Sequence, residues 1–246
     1  MKPSLVFGCL FVALVPFVSL SAATPEPAVI TPFSSARPGA ALPDGWRALS
    51  LPNLKSPEFR LEQDDAGTTV LRAEAQAAAG TVAFNVRADT RTTPLLTWRW
   101  KIDSVVEQAD LKVKSGDDFA ARVYVFFDVP LDSLSFATRT KIRLAKLLYG
   151  TDVPSAALCY VWDNKYPVGA SVWNPYTDRV RTIVLQSGND KAGKWQSETR
   201  DLARDFEAAF AIPAPAVTGI AIGNDTDQSG ASAVAWFGDF SFKAKP

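Results

Sequence analysis

Residues 115–128 read SGDDFAARVYVFFD, and from Phe119 onward the stretch alternates with a period of two. Ala121, Val123, Val125 and Phe127 fall on one side of an extended chain, while Arg122, Tyr124 and Phe126 fall on the other. Alternation of this kind in β-branched and aromatic residues predicts a strand with an apolar face turned to a core. The neighbouring sequence repeats the theme. FRLEQ (59–63), TTVLRAE (68–74), TVAFNVRA (81–88), LLTWRWKI (95–102), LCYVW (158–162), VRTIVLQS (180–187), KWQSETRD (194–201), VTGIAIG (217–223) and AVAWFGDFSF (233–242) are short runs separated by Gly, Asn and Asp. Many short strands with turn residues between them predict a mostly β fold, a two-sheet sandwich of jelly-roll type.

One or two surface helices are expected as insertions. ATRTKIRLAKLLYG (137–150) sets Ile142, Ala145 and Tyr149 on one side and Arg139, Arg143 and Lys146 on another, which is helical spacing. RDFEAAFA (204–211) is a second short helix, stopped by Pro213 and Pro215.

The chain begins Met1-Lys2-Pro3, continues as an apolar run from Leu5 to Leu20 broken by Pro16, and then reads Ser21-Ala22-Ala23. That order predicts a secretory signal peptide over residues 1–23, cleaved after Ala23. The run of about 16 residues is short of the about 20 needed to span a bilayer. Cys9 sits too early in it for a lipid attachment site. An extended, Pro-rich leader is expected over 24–57, with structure starting near Phe59, and a single β-sandwich domain over 58–246. About 220 mature residues suit one core, and the expected location is periplasmic or extracellular. With no further membrane span expected and Lys plus Arg (26) equal to Asp plus Glu (26), nucleic acid and anionic membranes are disfavoured as partners. Cys159 loses its only potential partner with the signal peptide and reads as a small buried hydrophobe.

The absence of histidine removes Ser-His-Asp and Cys-His catalysis and the commonest transition-metal ligand. No lysine has a serine three positions before it, so a Ser-x-x-Lys dyad is also missing. GNDKAGK (188–194) has phosphate-loop spacing, but Trp195 stands where a Ser or Thr would bind magnesium, and the segment reads as a polar inter-strand loop. Glu62, Glu74, Glu198 and Glu207 are expected on solvated strand or helix faces, with no pair placed for glycoside hydrolysis.

Two signals point toward a ligand. In GNDTDQSG (223–230), Asp225, Asp227 and Ser229 alternate before Gly230, the spacing of the opening half of a calcium loop, but Trp236 stands where the closing glutamate would be. A structural calcium ion completed by Asp118, Asp117 or Asp239 is the only cofactor this spacing suggests; a tight turn between strands is the alternative. The second signal is Arg122 in mid-strand beside Tyr124. A guanidinium removed from water needs Asp117, Asp118 or a ligand anion. In LCYVWDN, Tyr160 and Trp162 share one face, read as projecting from the sheet, and Trp173 and Tyr176 follow in WNPYT. Aromatics mounted on a sheet among Arg, Asp and Asn suit saccharide rings. Trp98, Trp100 and Trp236 read as core residues.

Taken in order, LTWRWKI, SGDDFAARVYVFF, YVWDN with WNPYT, and GIAIGNDTDQSG with WFGDFSF resemble the bacterial secreted family catalogued as domain of unknown function 3047, from about Trp98 to Phe242. The resemblance implies one recurring exported domain and carries no activity with it. The leading expectation is a non-catalytic exported module that binds a saccharide or similar polar polymer through Arg122, Tyr124, Tyr160 and Trp162. The alternatives are a lyase acting on uronate polymers through tyrosine and arginine, and an envelope scaffold or protein-interaction domain.

Overall fold

The computed structural model describes residues 28–51, 53–130 and 155–246. The expected signal peptide and the expected helix at 137–150 lie outside these residues.

The described residues form two packed sheets. The larger has seven strands in the order β1 (Trp46–Ser50), β4 (Ala79–Ala88), β11 (Val217–Asp225), β6 (Phe119–Phe127), β7 (Ala156–Asp163), β9 (Val180–Ser187) and β8 (Ser171–Trp173). The smaller runs β10 (Gln196–Asp201), β5 (Leu95–Ile102), β12 (Ser232–Phe237), β3 (Thr69–Gln76) and β2 (Glu58–Gln63), with β13 (Ser241–Lys243) also pairing with β5. The sandwich expected from the spacing of the runs is therefore what forms. Pairing is antiparallel throughout the described strands except between β7 and β9, which run parallel.

The alternation in the sequence places the core. Every second residue of β5, namely Leu96, Trp98, Trp100 and Ile102, is buried, and it packs across from Ala121, Val123, Val125 and Phe127 of β6 in one apolar cluster. Trp98 and Trp100 meet edge-on, at 5.7 Å between ring centroids, the geometry favoured by the ring quadrupole. Each such buried aromatic contributes about 2–3 kcal/mol by removal from water. Asn224 crosses between the layers, its amide donating to the carbonyls of Ala73 (3.0 Å) and Ala233 (3.1 Å).

Three expectations change. Ordered structure starts well before Phe59: Ile30, Phe33 and Trp46 belong to the main core, and β1 forms an edge of the larger sheet. Trp236 faces outward between the buried Ala235 and Phe237, with its indole N–H donating to Glu62 at 2.6 Å and the ammonium of Lys101 4.4 Å from its ring. Glu198 faces inward, opposite Trp98 in the β10–β5 register.

The helix expected at 204–211 forms as α1 (Leu202–Phe210), with Leu202 and Phe206 buried. The carboxylate of Asp201 accepts the Arg204 N–H and caps its first turn. None of the helices among the described residues is long and apolar enough to cross a membrane.

Candidate functional site

Antiparallel neighbours project to the same face of a sheet, so register decides which side chains can share a site. On β7, Cys159 pairs with Tyr124 and Val161 with Arg122, while Tyr160 pairs with Val123 and Trp162 with Ala121. Arg122 and Tyr124 therefore lie on the outer face of the larger sheet, and Tyr160 and Trp162 lie on its inner face. The expectation that these four residues share one surface is corrected. Tyr160 and Trp162 are core residues, within 5.6 Å of Trp98 and 6.0 Å of Trp100 respectively between ring centroids. The Tyr160 hydroxyl donates to Asp205 at 2.7 Å, and the Trp162 indole donates to the Gly188 carbonyl at 3.0 Å.

Arg122 is the centre of the outer-face site. It is 6 % exposed and lies over the Tyr124 ring at 5.3 Å. Its Nη2 donates to the carboxylate of Asp225, while its Nε is buried without a partner among the described residues. The pairing partner is thus Asp225, delivered from β11, and not Asp117 or Asp118, the nearer acids in sequence.

Further acids crowd the same spot. Carboxylate oxygens of Asp118, Asp225 and Asp227 lie within 4.8 Å of one another. Asp118 accepts the backbone N–H groups of Gln228 (3.2 Å) and Ser229 (2.7 Å), so it clamps the loop that follows β11. Gly230 closes this loop with φ 70°, a conformation in which a side chain would be strained. Ser229 contributes its amide here, while its hydroxyl oxygen accepts the Ala231 N–H. Asp239 is elsewhere, accepting from the N–H and hydroxyl of Ser34. The acid cluster has the donor chemistry for a hard divalent cation, yet the guanidinium already occupies one of its carboxylates.

A cavity of about 260 Å³ opens over these groups. Asp117, Arg122, Asp225, Asp227, Asn174 and Gln228 line it together with Tyr124, Tyr176, Leu51, Leu54 and Val180. Asn174 donates to both oxygens of Asp117 at 3.2 Å, and its own side-chain oxygen accepts the Tyr176 N–H at 3.0 Å. Tyr176 is 55 % exposed, tethered through its hydroxyl to the Lys114 carbonyl. Trp173, expected beside it, instead projects to the other side of the sheet in register with Arg181 and meets Phe210 of α1.

The titration behaviour follows from burial. Desolvation raises the Asp117 carboxyl, with the Arg122 charge opposing it. Burial raises the Tyr124 phenol well above its ordinary value and pushes the Cys159 thiol up to about 12. Tyr124 and Cys159 hold their protons firmly and offer hydrogen bonds instead of a poised base. Arg122 is paired with Asp225 and Tyr160 is internal, so Tyr124 is the one of the two expected tyrosines that shares this face with Arg122.

Sequence reasoning did not single out Leu51, Leu54, Asn174 or Gln228, which the fold brings to this cavity. They come from loops whose approach depends on tertiary structure. Glu198 was also missed. It accepts from the Trp100 indole at 3.1 Å and from Gln186 at 2.8 Å, and burial raises its carboxyl.

A family model described as "Protein of unknown function (DUF3047)" matches residues 44–241. No curated protein matches the chain. Among solved structures, the xyloglucanase domain of the type three effector NopAA from Sinorhizobium fredii, in complex with cellobiose, aligns at 11 % identity and TM-score 0.43, covering 86 % of this chain and 100 % of that one. An endoglucanase from Rhodothermus marinus aligns at 11 % identity and TM-score 0.44, covering 82 % and 93 %.

Proposed function

We propose that this chain, which belongs to the DUF3047 family, is an exported β-sandwich module that binds an uncharged saccharide in the outer-face cavity without turning it over. The observation that carries the reading is the cavity itself, where Arg122, Asp117, Asn174 and Gln228 converge beside the rings of Tyr124 and Tyr176. Convergent donors and acceptors beside aromatic faces suit a polyhydroxylated ring, whose C–H face stacks while its hydroxyls are bonded. Charge selects among glycans. Asp117, Asp225 and Asp227 outnumber the one guanidinium, so a uronate would bring further negative charge to an acidic wall. Export rests on the leader sequence, and the mass of the mature protein from a secreting host should correspond to a chain starting at Thr24.

The test is calorimetric titration with neutral oligosaccharides and with oligogalacturonate. Binding of a neutral oligosaccharide that weakens at least tenfold in Tyr176→Ala and Asp117→Asn supports the reading. Unchanged affinity in both variants, or preference for oligogalacturonate, overturns it. A divalent cation at Asp118, Asp225 and Asp227 is a second reading, favoured by the buried Oδ1 of Asp227, which has no partner among the described residues. Calcium would then raise the melting temperature and a chelator would lower it; identical melting in both refutes it.

A further inference from the structure

A second cavity, of about 360 Å³, lies at the other side of the larger sheet, where the β8–β9 edge meets α1. Its polar wall consists of Arg181, Arg200, Asp205 and Ser171, and its apolar wall includes Ile183 and Leu185. The polar wall is organised from the core outward. Buried Tyr160 donates to Asp205 Oδ2 at 2.7 Å, and Asp205 in turn receives Arg200 through Nε (2.9 Å) and Nη2 (2.7 Å). Both oxygens of this carboxylate are therefore engaged. Arg181 is held differently: its Nε donates to the Ser171 hydroxyl at 2.7 Å and its Nη2 to the Ser171 carbonyl at 3.0 Å, while its guanidinium lies 4.9 Å from the Trp173 ring. No carboxylate among the described residues pairs with Arg181. The cavity thus carries two guanidiniums against one carboxylate, with Arg200 held by Asp205 and Tyr160 and Arg181 held by Ser171.

We infer that this cavity is a binding site for a compact carboxylate on an apolar body. The carboxylate would sit between Arg181 and Arg200, since guanidinium presents paired N–H donors that match carboxylate geometry. The body would lie on Ile183 and Leu185. Pre-held arginines lose little side-chain freedom on binding, which favours affinity from few contacts. Tyr160 and Asp205 act here as positioning residues, fixing Arg200 from beneath. The site goes beyond the outer-face reading and shares no residue with that cavity.

The test uses hexanoate as the probe and 1-hexanol as its uncharged counterpart, titrated calorimetrically into the mature chain. Hexanoate should bind saturably and hexanol should not. Arg181→Gln keeps a polar side chain at a partly exposed position and should weaken hexanoate at least tenfold. Ala208→Phe, on the exposed side of α1, should block it by filling the cavity. Asp117→Asn in the other cavity should leave hexanoate affinity unchanged. No saturable heat with hexanoate at millimolar concentration, equal binding of hexanol, or full affinity in Arg181→Gln would each overturn the inference.

Discussion

Replacing Arg122 by methionine should be the most costly single change on the outer face. The substitution keeps the volume along the stem and removes the charge that offsets Asp225, itself 4 % exposed, and that stands near Asp117 and Asp118. Breaking a buried pair by removing one partner costs about 3–5 kcal/mol, because the other charge is left uncompensated in a medium that cannot solvate it. At about 2–4 °C per kcal/mol for a domain of this size, the melting temperature should fall by about 6–20 °C. The loss should depend on pH in a defined direction. Burial already raises the Asp117 carboxyl and the Arg122 charge opposes that rise, so without the guanidinium Asp117 is held further above its unfolded value and the native state binds more protons than the unfolded state. Stability then falls as pH rises through the raised value and recovers as pH is lowered through it. The gap between wild type and Arg122→Met should therefore narrow from neutral pH toward acid. Calorimetric melting across that range, with Asp225→Asn and the double variant, checks the pairing: the double variant should be less destabilised than the sum of the singles. A loss under about 1 kcal/mol at neutral pH, the range of an exposed pair, together with a gap that does not change with pH, would refute the reasoning.

Three other outcomes are expected. Tyr160→Phe removes the hydroxyl donor to Asp205 while Arg200 still holds that carboxylate, so urea unfolding should show a loss of about 1–2 kcal/mol, whereas a sheet-surface tyrosine would show almost none. Burial holds the Glu198 carboxyl above its ordinary 4.5. Stability attributable to it should fall as pH rises from that value through the raised one; Glu198→Gln should flatten this slope, and parallel pH–melting curves for the two proteins would contradict it. With its thiol pushed up to about 12, Cys159 should resist maleimide in the folded protein at mildly alkaline pH and react fully in urea; rapid labelling of the native chain would show the site to be open.

The fold was legible where a strand has one wet face and one dry one. In β5 and β6 the pleat could be read directly, because Arg99, Lys101 and Tyr124 mark the side away from the core. In β7 it could not. All its residues from Ala156 to Asp163 are buried, since Leu111, Tyr166 and Val172 cover the outer face that would otherwise face water. Alternation vanishes in such a strand, and only the register with β6 reveals that Tyr160 turns inward. The same reason hid the partner of Arg122: Asp225 is distant in sequence and arrives through β11. Asp118 and the Asp225–Asp227 pair could be grouped beforehand because acids cluster at strand ends, but which one holds the arginine is a matter of pairing.

The parallel pairing of β7 with β9 has a consequence for how this surface can change. Two parallel strands cannot be joined by a tight turn. After Asp163 the chain must travel back the length of an eight-residue strand, about 26 Å at 3.3 Å per residue, before β9 can begin. Residues 164–179 make that journey, and Asn174 and Tyr176 stand on it as a wall of the outer cavity. The wall is therefore also a structural strut, and about eight extended residues are the least that could cover the strand it spans. Asn174 and Tyr176 can vary with the ligand, whereas a deletion that left too few residues to cover this span would pull β9 out of register, so specificity on this face is more open to substitution than to deletion.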